Sequence, residues 1–127
     1  MANSFDIEDN IYIIRLRDRV KENPHTKLFL SLSEEFWKKG KEEEAINILS
    51  SGIERNPDFL AARLTLVKWY LKKGMFSEAE KEFKEILERF SNIKFDKRIE
   101  KVQSALNTVK ILNRFLDAVN KRFSSEQ

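Results

Sequence analysis

The chain is predicted to be all-α, built from antiparallel helix pairs stacked side by side. Three observations carry that prediction. First, the windows 26–58 and 60–92 share nine identities at an offset of 34, among them Lys38-Lys39-Gly40 with Lys72-Lys73-Gly74, Glu44-Ala45 with Glu78-Ala79, and Glu54-Arg55 with Glu88-Arg89. A fixed period of this size marks a repeat array, in which one unit cannot bury its own apolar face and must stack on another. Second, apolar residues recur at steps of three and four almost everywhere. Third, three glycines and two prolines in 127 residues leave little material for strands and tight turns.

The first helix is expected over 7–22. Asp6 is placed as its N-cap, with Glu8 and Asp9 suited to the positive helix end. Its apolar residues divide between two faces, Ile7, Ile11 and Ile14 on one and Tyr12, Ile13, Leu16 and Val20 on the other. A helix apolar on two sides is expected to be sandwiched. Asn23-Pro24 ends it, because the residue before proline is pushed out of the α region.

The first unit, 26–58, opens with a helix over about 26–39 that carries Phe29, Leu32 and Phe36 on one face. Lys38 and Lys39 occupy its last turn, and Gly40 supplies the left-handed residue that closes it. Glu42-Glu43-Glu44 starts the second helix, with Ala45, Ile46, Leu49 and Ile53 on its apolar stripe. So short a connection makes the two helices antiparallel neighbours. Asn56-Pro57 ends the pair, with Pro57 placed at a first helical position.

The second unit, 59–92, repeats this grammar. Its first helix (58–73) turns Leu66, Val67 and Tyr70 inward and closes on Lys72-Lys73-Gly74. Its second opens with Ser77-Glu78-Ala79-Glu80, a capping-box spacing. Ala79, Phe83, Ile86 and Leu87 form the stripe, and Ser91-Asn92 is the expected stop. After Asn92 the echo fails. Ile99, Val102, Leu106, Val109, Leu112, Leu116, Val119 and Phe123 instead mark one long helix over 95–123, the alternative being a break at Asn107-Thr108.

Composition narrows the function. With 41% hydrophobic and 35% charged residues the chain reads as one globular domain. There is no cysteine and one histidine, His25, so disulfides and thiolate metal sites are excluded and no metal site or cofactor is expected. No Gly-rich phosphate loop or Gly-x-Ser-x-Gly elbow occurs, and an enzyme is not expected. No apolar run reaches the roughly 20 residues that span a bilayer. The start, Met1 to Asp6, lacks the basic and apolar regions of a signal peptide, which makes a cytoplasmic location the expectation. From Lys94 onward eight Lys/Arg face four Asp/Glu, leaving 16 and 17 for the rest. The net charge of +3 is therefore concentrated in the C-terminal quarter, without a run of consecutive basic residues.

The quoted residues resemble the tetratricopeptide repeat. Its pattern is met by Phe29, Leu32, Phe36, Gly40, Ala45, Leu49, Gly52 and Pro57 in the first unit, and by Leu66, Tyr70, Gly74, Ala79 and Phe83 in the second. The second unit departs with Arg63, Ile86 and Ser91. The resemblance implies a right-handed solenoid whose first helices line a concave, partner-binding groove. Carried across one by one, groove positions fall on Lys27, Leu30, Glu34, Trp37 and Lys38, and on Ala61, Leu64, Lys68, Leu71 and Lys72. Leu30 and Glu34 stand where members that clamp chaperone carboxylates carry Lys and Asn, which disfavours that ligand. Leu30, Trp37, Leu64 and Leu71, with Glu34 and Lys68 among them, make an apolar strip edged by charge, suited to an amphipathic helix or peptide of a partner protein. The alternative is that a terminal helix fills the groove and turns these residues into core.

A nucleic-acid reader is the second class of function. It needs a basic groove with base-reading side chains, and neither is present. A third is a self-associating structural subunit. A helix of about 28 residues is about 42 Å long at 1.5 Å per residue, much longer than one hairpin is wide. Its far half would project Leu112, Phe115, Leu116, Val119 and Phe123 as a stripe suited to a homodimer.

Overall fold

The computed structural model describes residues 4–90 and 96–125, with side chains for 10–90 and 96–124. Six helices follow one another among these residues: α1 (Ser4–Glu22), α2 (Phe29–Lys38), α3 (Glu42–Arg55), α4 (Leu60–Lys72), α5 (Phe76–Arg89) and α6 (Lys97–Ser125). Helices α2 and α3 pack as one antiparallel pair and α4 and α5 as the next, giving the all-α stack of hairpins that the period predicts.

Both pairs turn on the same device. Gly40 and Gly74 adopt φ of 80° and 74°, where a Cβ would be strained. At the first turn Gly40 N–H donates to the Trp37 carbonyl and Lys41 N–H to that of Phe36; at the second Gly74 donates to Leu71 and Met75 to Tyr70. These are the two bonds of a Schellman motif, made twice. Each turn leaves one residue before the next helix. Ser77 is therefore already inside α5, whose N-cap is Met75 without a side-chain bond, and the capping box expected from Ser77 and Glu80 does not form.

The second lysine of each Lys-Lys-Gly has an equivalent task. Lys39 Nζ donates to Asn10 Oδ1 of α1 at 3.2 Å, and Lys73 Nζ meets Glu42 Oε2 of α3 at 2.9 Å. Hydrogen bonding from Glu42, more than its charge, raises the Lys73 pKa above the ordinary lysine value. Helix α1 thus stands to α2 as α3 stands to α4, in the place of a second helix from a preceding unit. It buries Leu16 and half-buries Ile13 and Val20. Ile11, Tyr12 and Ile14 stay exposed, so α1 is covered on one side and is not sandwiched. It begins at Ser4, which puts Asp6 within the helix and not at its cap. Pro57 lies in the turn ahead of α4, not at its first position. The Ile7 side chain and the Ser91-Asn92 stop lie outside the described residues.

Two cores run through the stack. The first joins Leu16, Phe29, Leu32, Phe36, Ala45, Leu49, Ile53, Ala62, Leu66 and Trp69, and so ties α1 to the first pair and to one face of α4. The second joins Leu64 and Val67 on the opposite face of α4 to Ala79, Phe83 and Ile86 of α5 and to Ile99, Val102 and Leu106 of α6. Helix α6 is continuous through Asn107-Thr108, where Thr108 Oγ1 donates back to the Ser104 carbonyl. Only its first third is core. Asp96 caps it: the carboxylate accepts the Arg98 N–H at 2.9 Å and the Arg98 guanidinium at 2.8 Å.

Candidate protein-docking surfaces

Leu30, Glu34 and Trp37 share one face of α2 by their i, i+4, i+7 spacing, and Leu64, Lys68 and Leu71 share one face of α4 in the same way. The structure treats the two triplets differently. On α2, Glu34 is exposed while Leu30 and Trp37 are half-buried against the first core. On α4, Lys68 is exposed, Leu71 is half-buried, and Leu64 is only 2% exposed beneath α6. The apolar strip expected to cross both helices is therefore interrupted. Leu64 belongs to the core, because α6 supplies Ile99, Val102 and Leu106 to the side of α4 on which it lies.

Between the two helices a tryptophan pair forms the floor. The rings of Trp37 and Trp69 are stacked 4.6 Å apart and 3° from parallel. Trp69 is buried and Trp37 half-buried, so of the two rings Trp37 keeps the larger accessible part. Such a pair is worth about 0.5–1.5 kcal/mol beyond its area. Exposed Glu34 lies one turn before Trp37 on α2, and exposed Lys68 is next to Trp69 on α4.

A second concavity lies on the α1 side. A cleft of about 440 Å³ runs between α1 (Arg17, Val20, Lys21) and α3 (Glu44, Asn47, Ile48, Ser51, Arg55), floored by Phe29, Leu32 and Phe36 of α2. Two cations flank the Phe36 ring, Arg17 at 5.3 Å and Lys41 at 5.6 Å from its centre. Sequence reading missed this cleft because it depends on the gap between two helices that are not neighbours in the chain.

It also missed a buried ion pair. Arg63, where the second unit departs from the repeat pattern, is buried; its Nε donates to the Pro57 carbonyl at 2.6 Å and its guanidinium to Glu82 Oε1 at 2.7 Å. A buried guanidinium keeps its charge when carboxylate and carbonyl partners replace water. The pair joins α4 to α5 within the second unit.

Among the described residues no group of three or more His, Cys, Asp or Glu side chains is placed to hold a metal ion. His25 is exposed, with Nδ1 3.2 Å from the Arg55 carbonyl. No described helix is long and apolar enough to cross a membrane.

Comparison with curated proteins gives no match. The sequence profile described as tetratricopeptide repeat matches residues 36–106, more than half of the chain. The match ends on Leu106, which is also the last buried residue of α6. Repeats of this kind are, in general, protein–protein interaction modules. With the repeat period, the paired Schellman turns and the profile in agreement, the chain belongs to the tetratricopeptide repeat family.

Proposed function

We propose that the chain is a non-catalytic adaptor that holds a helical or extended segment of a partner protein on the α2–α4 face. The observation that carries this reading is the Trp37–Trp69 stack. A half-exposed tryptophan fixed by a second ring loses little conformational freedom when a partner covers it, and tryptophan is enriched among binding hot spots. Leu30 beside it adds apolar area. Glu34 and Lys68 supply opposite charges that select an orientation. Leu71 forms the edge of this surface towards α6, and Leu64 supports it from below.

The test starts from a partner captured by the intact chain. Trp37→Ala should weaken its binding at least about tenfold, since hot-spot truncations cost 2 kcal/mol or more. Because Trp37 also packs, Glu34→Lys and Lys68→Glu provide a second arm at exposed sites that leave the fold alone. Unchanged affinity in all three folded variants rejects the α2–α4 face.

The α1–α3 cleft favours a second reading. Its apolar floor lies beneath Arg17, Lys21 and Arg55 with Glu44 as the one carboxylate, an arrangement that suits an acidic amphipathic segment. Ser51→Arg and Asn47→Arg would obstruct this cleft without touching the α2–α4 face. Loss of the partner in those variants alone assigns binding to the cleft.

A further inference from the structure

Helix α6 changes character along its length. Ile99, Val102 and Leu106 are buried against α4 and α5, and an ion pair between this helix and the array joins Lys110 to Glu80 at 3.2 Å. Beyond it Ile111, Leu112, Phe115, Leu116 and Phe123 are 65%, 55%, 65%, 54% and 65% exposed. Val119 is half-buried. The remaining 15 residues (111–125) extend about 22 Å at 1.5 Å per residue. An isolated helix of that length is marginal in water and needs a packed face to persist.

The exposed stripe does not continue the face that caps the array. At about 100° per residue, Leu112, Leu116, Val119 and Phe123 centre about 100° around the helix from Ile99, Val102 and Leu106. The hairpin of α4 and α5 therefore leaves this stripe uncovered. The four residues recur at steps of four, three and four, the spacing of a two-helix seam. Asn113 and Asn120 border one edge and Phe115 and Arg122 the other, while Arg114, Asp117 and Lys121 point to the far side by the same spacing. In antiparallel register Arg122 falls beside Phe115 of the second copy and not beside its own equivalent, so like charges do not meet across the seam. Allowing about 200 Å² for each large side chain, Leu112, Phe115, Leu116 and Phe123 with half-buried Val119 offer about 500 Å² per copy. Two copies bury about 1,000 Å², the least that a specific interface should clear.

We infer that residues 111–125 of α6 pair with the same segment of a second copy, antiparallel about a two-fold axis. Leu112 meets Phe123 of the other copy and Leu116 meets its Val119, so each large residue faces one seam residue. Antiparallel pairing sends the two arrays to opposite ends of the joint, sets the helix dipoles against each other and closes the symmetry at two. This dimer is independent of where a partner docks on α2, α3 or α4.

Light scattering and sedimentation of the full chain at tens of micromolar should give twice the chain mass. Leu116→Lys with Phe123→Lys should give a monomer at the same concentration, with the array's thermal transition still present, because both sites are exposed in the single chain. A monomeric full chain overturns the inference, whether or not it then binds anionic vesicles through this helix. A dimer that survives the double substitution overturns it too, by placing the interface elsewhere. The chain has no cysteine of its own, so direction can be read by oxidation. A mixture of the Leu112→Cys and Phe123→Cys variants should form the mixed disulfide. Efficient linking of Leu112→Cys to itself would instead mean parallel pairing and overturn the antiparallel arrangement.

Discussion

The ring of Phe29 occupies the space that a side chain at position 52 would need. A Cβ placed on Gly52 would overlap Cδ2, Cγ and Cε2 of that ring. Phe29 is buried, and its ring stands edge-on to Phe59 with centres 5.7 Å apart and planes at 89°. Glycine in the middle of α3 is therefore a packing requirement of α2, and the small residue of the repeat pattern has a named cause.

Gly52→Ala sets two effects against each other. Alanine favours a helix interior by about 1 kcal/mol, whereas overpacking a filled core costs about 1–3 kcal/mol. Because the new methyl overlaps ring atoms of Phe29 directly, the second effect wins and the denaturation midpoint should fall. Adding Phe29→Leu should restore part of it, because the smaller side chain clears the new methyl group. A Gly52→Ala variant as stable as the parent would show that the ring can move.

One period later the same two positions hold Arg63 and Ile86. The aromatic ring is replaced by a guanidinium that reaches Glu82, and the vacated space is filled by a fully buried isoleucine. Glu82→Ala should cost about 3–5 kcal/mol, the usual loss when a buried charge is left without its partner, reduced by the bond Arg63 keeps to the Pro57 carbonyl. Arg63→Phe alone should clash with Ile86. Arg63→Phe combined with Ile86→Gly imports the arrangement of the first unit and should be more stable than Arg63→Phe by itself. A double-mutant cycle in chemical denaturation measures this coupling, and additivity would deny it.

These positions show what the sequence made legible. The period placed Gly40 and Gly74 at the left-handed turns, and the unbroken stripe after Asn92 foretold one continuous α6. Both are local signals, carried by residues a few steps apart. Arg63 was visible only as a departure from pattern, because its partner is 19 positions away on another helix. Leu64 was misplaced for a similar reason. Helical spacing put it on the same face as Lys68 and Leu71, but whether that face is open depends on how α6 docks. The one-sided burial of α1 was hidden in the same way, since an apolar stripe does not say whether anything covers it. Ser77 failed as a cap because the Schellman turn, not the Ser-x-x-Glu spacing, fixes where α5 begins.

Asp96 provides a pH-dependent test. The Arg98 side chain, and then the Arg98 N–H, hold its carboxyl below the ordinary carboxylate value. A depressed acid stabilises the folded chain above its unfolded pKa, about 3.9, and loses that contribution as pH falls through the lower folded value. Asp96→Asn keeps an N-cap oxygen but no charge. Its melting temperature should fall below that of the parent between pH 5 and pH 7, with the difference closing as pH falls through the lowered folded value. A constant difference across that range would mean that shape, and not charge, sets the effect.

The division of α6 into a buried and an exposed part predicts unequal responses along a single helix. Val102 and Leu112 both belong to the run of apolar residues at steps of three and four along α6, yet Val102 is buried against α4 and α5 while Leu112 is 55% exposed. Truncating a buried aliphatic removes its transfer free energy and leaves a cavity that the α4–α6 contact can only partly close. Val102→Ala should therefore cost about 1–3 kcal/mol in urea denaturation of the array, the range of small core truncations. Leu112→Ala, measured below micromolar concentration where pairing of two copies is dilute, should change stability by less than about 0.5 kcal/mol, as exposed sites do. At high concentration the Leu112→Ala loss should grow, since stability then includes association. Equal losses at both positions in dilute solution would mean that the far half of α6 folds back onto its own array.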